Sequence, residues 1–329
     1  MLVTLAAAPA GPLATMALTV SPPDVAGGLE LGARIGALKP APGRGSTRDL
    51  WEALATVAAV DLGAVRAVEP HLDAVAILVQ AGVAVPAGNA GVFAAEGGEP
   101  LAAVETTEGW VLEGTKPWCS LADRLDWALI TATLDSGERQ LFLVDLHDSG
   151  VQVEPGRWVA RGLAEVPSGP VQFSAVPAEP IGAPGWYLER PGFAWGGIGV
   201  AACWYGGAVG IGRTVHEAAK SRPNPYLLMH LGAIDELLQS SRRALAEAAT
   251  RIDEGDSDPL LVKRVRATVA RACEEIIDRA GHALGPAPLA LDPVHAKRVA
   301  DLGLYVRQHH AERDQASLGT AVAAGPSPW

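Results

Sequence analysis

Residues 109–120, GWVLEGTKPWCS, decide how the chain is read. Trp110, Val111 and Leu112 have strand character, Glu113-Gly114 reads as a turn, and Lys116-Pro117-Trp118 enters a second strand. Trp118 is followed by a thiol and a hydroxyl, Cys119 and Ser120, and then by a β-rich run from Trp127 to Thr133. An aromatic wall beside a small hydroxyl can cover the face of a planar cofactor and hydrogen-bond its edge. The plain alternative is a core tryptophan with Ser120 in a turn, and residue types alone favour that alternative.

Around this stretch, over 90–180, short β-rich runs alternate with Gly, Pro and Asp turns. They fall at 91–95, 101–106, 109–113, 126–134, 140–146, 151–154, 158–161 and 169–174, which predicts a small antiparallel barrel or sandwich. Before it, 1–47 is rich in Ala, Gly and Pro and reads as mostly irregular, while 48–82 reads as helix. Leu50, Leu54, Val57 and Ala58 share one face, and Leu72, Val75, Ala76 and Val79 another; Pro70 breaks or starts the second helix. His71, near its first turn, reads as solvated rather than catalytic. After the β region four helices are predicted, at 193–221, 227–254, 258–284 and 292–318, forming a bundle.

Composition narrows the function. The 329 residues are 49% hydrophobic and 19% charged, so the chain buries a large core. A net charge of −11 argues against a general polyanion binder such as duplex DNA, leaving room for a local basic site. Cys119, Cys203 and Cys273 have neither disulfide nor metal-ligand spacing. The apolar N-terminus lacks a basic start and is broken by Pro9, Gly11 and Pro12, so a cytoplasmic protein is expected. The run 191–212 comes nearest to a membrane span, but its glycines favour a buried helix, and no membrane association is expected. GAVGIG at 207–212 sits inside a helical pattern rather than after a strand, so it reads as helix packing and not as a nucleotide loop. Gly196, Gly197 and Gly199 at the start of that helix are candidates for backbone contact with a ligand.

GWVLEGTKPWCSLADRLDWALITA resembles the middle domain of acyl-CoA dehydrogenases, where a GTK turn leads into a Trp-x-Thr/Ser motif that packs on the flavin. VPSGPVQFSAVPAEPIG resembles that domain's last strand, and the likeness extends more loosely over 50–320. The resemblance implies an α+β, acyl-CoA dehydrogenase-like fold. Its parts would be an N-terminal helical region at 1–88, a middle β-barrel domain at 89–185 and a C-terminal four-helix bundle at 186–329. It implies FAD, held by Trp118, Cys119 and Ser120, with Arg222 reaching the pyrophosphate. It also implies that His282 and Gly285, of HALG, contact the adenine half across a subunit interface, in a homodimer or homotetramer. The exposed Gly-rich and apolar surface expected between 193 and 212 points to self-association as well.

The departures are as informative. Counting from Asp301, the family's catalytic glutamate falls on His309; its other location, counted back from Arg222, falls on Gly196. The flavin- and substrate-binding loop is shortened to AAEGGEP, 94–100. His309 is therefore expected to replace the missing carboxylate as the residue nearest the reacting centre, flanked by Gln308 and His310. The function implied is FAD-dependent oxidation of the CH–CH group of an acyl-CoA or similar thioester, with electrons passed to an acceptor. A Gln-His pair at this place also resembles flavin-dependent monooxygenases of the same fold, and the absent carboxylate suits a non-catalytic subunit too.

Overall fold

Helices α1 (Pro12–Ala17), α2 (Val25–Gly36), α3 (Thr47–Ala58) and α4 (Leu62–Ala81) precede the strands. The computed structural model describes residues 1–19, 24–154, 156–256 and 258–327. The Asp24 carboxylate caps α2 by accepting from Gly27 N at 2.7 Å, and Asp61 caps α4 by accepting from Ala64 N at 2.8 Å. Much of 1–47 is thus helical rather than irregular. Gly28, Gly32 and Gly36 lie four residues apart on α2, and a Cβ on Gly28 or Gly36 would collide with the Ala64 carbonyl or the His71 ring. Glycines that look like a loop in the sequence form the face that seats α2 on α4. Pro70 lies inside α4 rather than at a boundary; the break falls earlier, at the Asp61 cap. His71 is buried, and its Nδ1 accepts from Ala90 N at 3.1 Å, so it ties α4 to the first strand rather than facing solvent.

The strands are β1 (Ala90–Phe93), β2 (Ala102–Thr106), β3 (Gly109–Lys116), β4 (Trp127–Thr133), β5 (Arg139–Asp145), β6 (Val151–Val153) and β7 (Val171–Ile181). Pairing runs β4–β2–β3–β7–β5 and returns to β4, closing a barrel and removing the exposed edges a sandwich would keep. The barrel is not purely antiparallel, because β1 pairs with β4 in parallel. Glu113-Gly114 is not a turn. β3 runs through it, with Gly114 at φ 117° and a bulge where the register against β7 shifts between Leu112 and Gly114. The chain reverses instead at 107–108, so Lys116 ends β3 rather than starting another strand. Residues 158–161 are not a strand either; the Trp158 indole donates to Leu163 O at 2.9 Å.

Past α5 (Trp186–Glu189) the chain enters α6 (Pro191–Ser221), α7 (Pro225–Asp253) and α8 (Pro259–Leu284), which pack side by side. A short α9 (Pro286–Leu291) leads to α10 (Pro293–Tyr305), which lies against α6. The predicted fourth helix is split: a 3-10 turn at Val306–Gln308 and an extended His309 interrupt it before α11 (Glu312–Ala323). Ala311 in this connector has φ 42°, a conformation that no continuous helix tolerates. α6 is the one described helix long and apolar enough to cross a membrane, and 67% of its apolar window is buried inside the molecule. Its glycines are not an exposed surface: Cβ atoms on Gly206 and Gly210 would strike the carbonyls of Ala55 on α3 and of Ala59 at its C-cap. One apolar core runs through all three parts of the chain and includes Trp51, Leu112 and Trp204.

Candidate functional site

A cleft of about 550 Å3 opens between α4, the α5–α6 junction, α8 and the connector after α10. α4 supplies its polar floor. Arg66, Glu69 and Asp73 stand at i, i+3 and i+7, so they share one face of a helix whose only other polar side chains are His71 and Gln80. Arg66 donates to Glu69 Oε2 at 3.3 Å and to Ser120 Oγ at 3.2 Å, and its guanidinium lies 5.1 Å from the centre of the Tyr305 ring. Ser120 Oγ is in turn 2.7 Å from Ser168 Oγ. Burial drives the Glu69 carboxyl from its ordinary value up to about 7; Arg66 opposes the rise and Asp73 adds to it. Burial also raises Asp73, against Arg190, whose Nη2 stands 3.9 Å away. Arg190 is fixed at the start of α6 by Gln80 at 3.0 Å and by the Tyr187 ring at 5.2 Å.

The opposite wall comes from α6, α8 and the connector. Arg266 stacks over Trp204 at 4.9 Å and donates to Gly197 O at 2.5 Å and Gln308 O at 3.1 Å, bracing the glycine-rich start of α6 and the connector together. His309 lines the cleft, edge-on to Trp204 with centroids 6.5 Å apart and Nε2 4.0 Å from Asp314 Oδ2. Burial lowers its pKa, so at neutral pH it presents a neutral imidazole. His310 is exposed, and its backbone N–H donates to Asp314 Oδ2 at 3.1 Å. Gly196 lines the same cleft. Gly196 and His309, the two positions to which the sequence count led, thus line one cleft, and neither is a carboxylate.

Gly197 lines this cleft too, whereas the candidates for holding the cofactor do not. Trp118 lies two residues past the end of β3, 58% exposed and with its backbone at φ 61°, an uncommon conformation for a bulky residue. Cys119 is a core thiol, its N–H bonded to Gly169 O at 3.0 Å and its pKa pushed by burial up to about 12, so its side chain is not presented to a ligand. Ser120 reaches the cleft only through Arg66. Arg222 is exposed at the C-cap of α6. His282, also exposed, has its ring 5.9 Å from that of His230, and Gly285 turns the chain from α8 into α9 at φ 70°. Glu69, Asp73 and Arg266 were missed in the sequence. The available signal was the 3/4 spacing of Arg66, Glu69 and Asp73 on an apolar helix, which neutral surface patterning does not produce.

No protein-family model matches the sequence, and no curated protein matches it either. Solved structures do. FMN-bound TdsC from Paenibacillus sp. A11-2 is 18% identical with a TM-score of 0.77, over 96% of this chain and 97% of that one. Butyryl-CoA dehydrogenase from Megasphaera elsdenii is 16% identical with a TM-score of 0.76, over 94% of each chain. KijD3 in complex with FMN and a dTDP-amino-ketosugar is 19% identical with a TM-score of 0.74, over 96% of this chain and 87% of that one. Helical start, closed barrel, helical bundle and these full-length superpositions together show that the chain has the acyl-CoA dehydrogenase fold.

Proposed function

We propose that the protein is a flavin-dependent oxidoreductase whose substrate occupies the cleft over Glu69 and His309. The observation that carries this reading is the line Ser168–Ser120–Arg66–Glu69, which joins the end of the barrel motif to the cleft through contacts of 2.7, 3.2 and 3.3 Å. The residues at the barrel end fit a flavin. An exposed indole held at positive φ offers a flat apolar face, and the Ser120 hydroxyl offers a polar edge beside it. Trp118 and Ser120 would hold the ring system, and the flavin would supply two-electron redox chemistry. FAD is the form proposed, with Arg222 toward its pyrophosphate and His282 and Gly285 toward its adenine half from a second copy. Exposed Tyr226 and Met229 on α7, together with Leu291 on α9, give the bundle an apolar surface suited to such a homo-oligomer.

The substrate proposed is an acyl thioester oxidised at its CH–CH group, as the name of butyryl-CoA dehydrogenase suggests for a neighbour that superposes along its whole length. In this reading Arg190 and Arg266 orient the polar end of the substrate, Trp204 excludes water, and His309 offers a neutral hydrogen-bonding ring. A second reading, oxygen insertion, is favoured by the histidine at the base position and by the similarity to TdsC, described as a dibenzothiophene monooxygenase.

The absorption spectrum of the purified protein tests the flavin, and anaerobic mixing with butyryl-CoA tests the chemistry. Bleaching of the flavin bands supports the dehydrogenase. Bands that persist with butyryl-CoA, while NADH-reduced flavin and oxygen add an oxygen atom to dibenzothiophene, support the second reading. Absence of flavin overturns both and leaves a non-catalytic subunit.

A further inference from the structure

Glu69 is a cleft carboxylate whose position and surroundings suit proton transfer. It projects from α4 into the same cleft as Gly196 and His309, the two positions to which the sequence count led. Arg66 engages only Oε2, at 3.3 Å, and Oε1 has no hydrogen-bond partner among the described residues. We propose that Glu69 is the proton acceptor of the reaction, supplying from α4 the carboxylate that neither Gly196 nor His309 provides. The inference rests on the flavin-dependent, acyl-thioester reading above, and it moves the base from His309 to Glu69.

The Glu69 carboxylate takes the proton from the carbon alpha to the thioester carbonyl. The electron pair of that C–H bond would become the new C=C bond, and the adjacent carbon would lose its hydrogen as hydride to a flavin, which would be the oxidant. Arg66 keeps the carboxylate ionisable in a buried place, and its bond to Ser120 fixes the pair against the barrel.

The groups facing Glu69 set its titration. Arg66 and Asp73 flank it on α4, with Arg66 favouring the ionised form and Asp73 the protonated one. Arg266 from α8 favours ionisation. Tyr187 on α5, Cys203 on α6 and Tyr305 on α10 are all held protonated by burial and bring no competing charge. His309, across the cleft, is neutral. A carboxyl balanced near neutral pH is matched to general base work.

The test uses wild type, Glu69→Gln, Glu69→Asp and His309→Ala, each checked for native circular dichroism. Infrared titration should show a protonated-carboxyl band that disappears with a midpoint near pH 7 in wild type and is missing from Glu69→Gln. Solvent deuterium should enter the alpha position of butyryl-CoA in wild type, at a rate rising through the same pH. Glu69→Gln should slow that exchange by about a hundredfold or more, with partial retention in Glu69→Asp. The proposal is overturned if the band persists in Glu69→Gln, if flavin-loaded wild type exchanges nothing, or if exchange falls further in His309→Ala than in Glu69→Gln. Flavin content is read from the spectrum of the same samples, so a missing cofactor, which sinks the flavoprotein reading, is a separate result from a wrong base.

Discussion

α4 brings carboxylates to two clusters. At its N-cap, Asp61 meets Lys297, whose ammonium also reaches Glu165 and Asp301; the three contacts are 2.8, 2.6 and 2.6 Å. Asp301, only 1% exposed, accepts from Leu163 N as well, at 2.6 Å. Two turns further along α4, Glu69 and Asp73 stand 3.3 and 3.9 Å from their arginines and border a cleft. The first cluster is tightly paired: three carboxylates share the Lys297 ammonium, which clamps α4, the loop after β6 and α10 together. The second is loosely paired, so its carboxylates keep the capacity to exchange a proton. Spacing of partners, rather than the presence of buried acids, separates scaffold from site.

The largest expected effect would break this contrast from the tightly paired side. Lys297→Met leaves Asp301 buried beside two other acids and should cost about 3 kcal/mol in thermal or denaturant unfolding, the low end for a broken buried pair because the ammonium is partly exposed to solvent. A loss under about 1 kcal/mol would mean the clamp is no more structural than the cleft.

Glu69→Gln should do the opposite. The folded-state pKa of Glu69 lies above its ordinary value of 4.5, at about 7, so wild type loses stability as pH rises between those values. The variant should match wild type near pH 4 and exceed it above pH 7, by up to about 3 kcal/mol. A gap that does not change with pH would deny the titration. Ala311→Gly should relieve the positive φ of the connector that carries His309, stabilising the fold by about 1 kcal/mol in denaturant unfolding. Trp118→Ala should change stability least, by about 0.5 kcal/mol or less, since its ring is mostly exposed. Flavin retention on gel filtration should nevertheless fall in that variant, and unchanged retention would remove Trp118 from the cofactor site.

The sequence showed the order of helical, β and helical parts because period and punctuation are local properties. It did not show how they close. That β3 passes through Gly114 depends on β7, whose Val176 and Phe173 lie across the bulge from distant positions in the chain. The α2 glycines read as loop because their reason, the approach to Ala64, is a tertiary contact. At the candidate site, the position counted to His309 does line the cleft, whereas a continuous helix there was the wrong expectation; Ala311 carries no turn signature. Glu69 stayed hidden because charges on a helix ordinarily mark its solvent face, and only packing reveals that this face is enclosed.

The glycine face of α6 also bears on how the chain is made. α6 is apolar enough to be held in lipid, yet α3, against which its glycines pack closely, is translated before it. When α6 leaves the ribosome, the carbonyls of Ala55 and Ala59 are already there to receive Gly206 and Gly210. Chain order thus lets this segment dock as it emerges, ahead of the arrival of α7 and α8, and shortens the time in which a membrane or a chaperone competes for it.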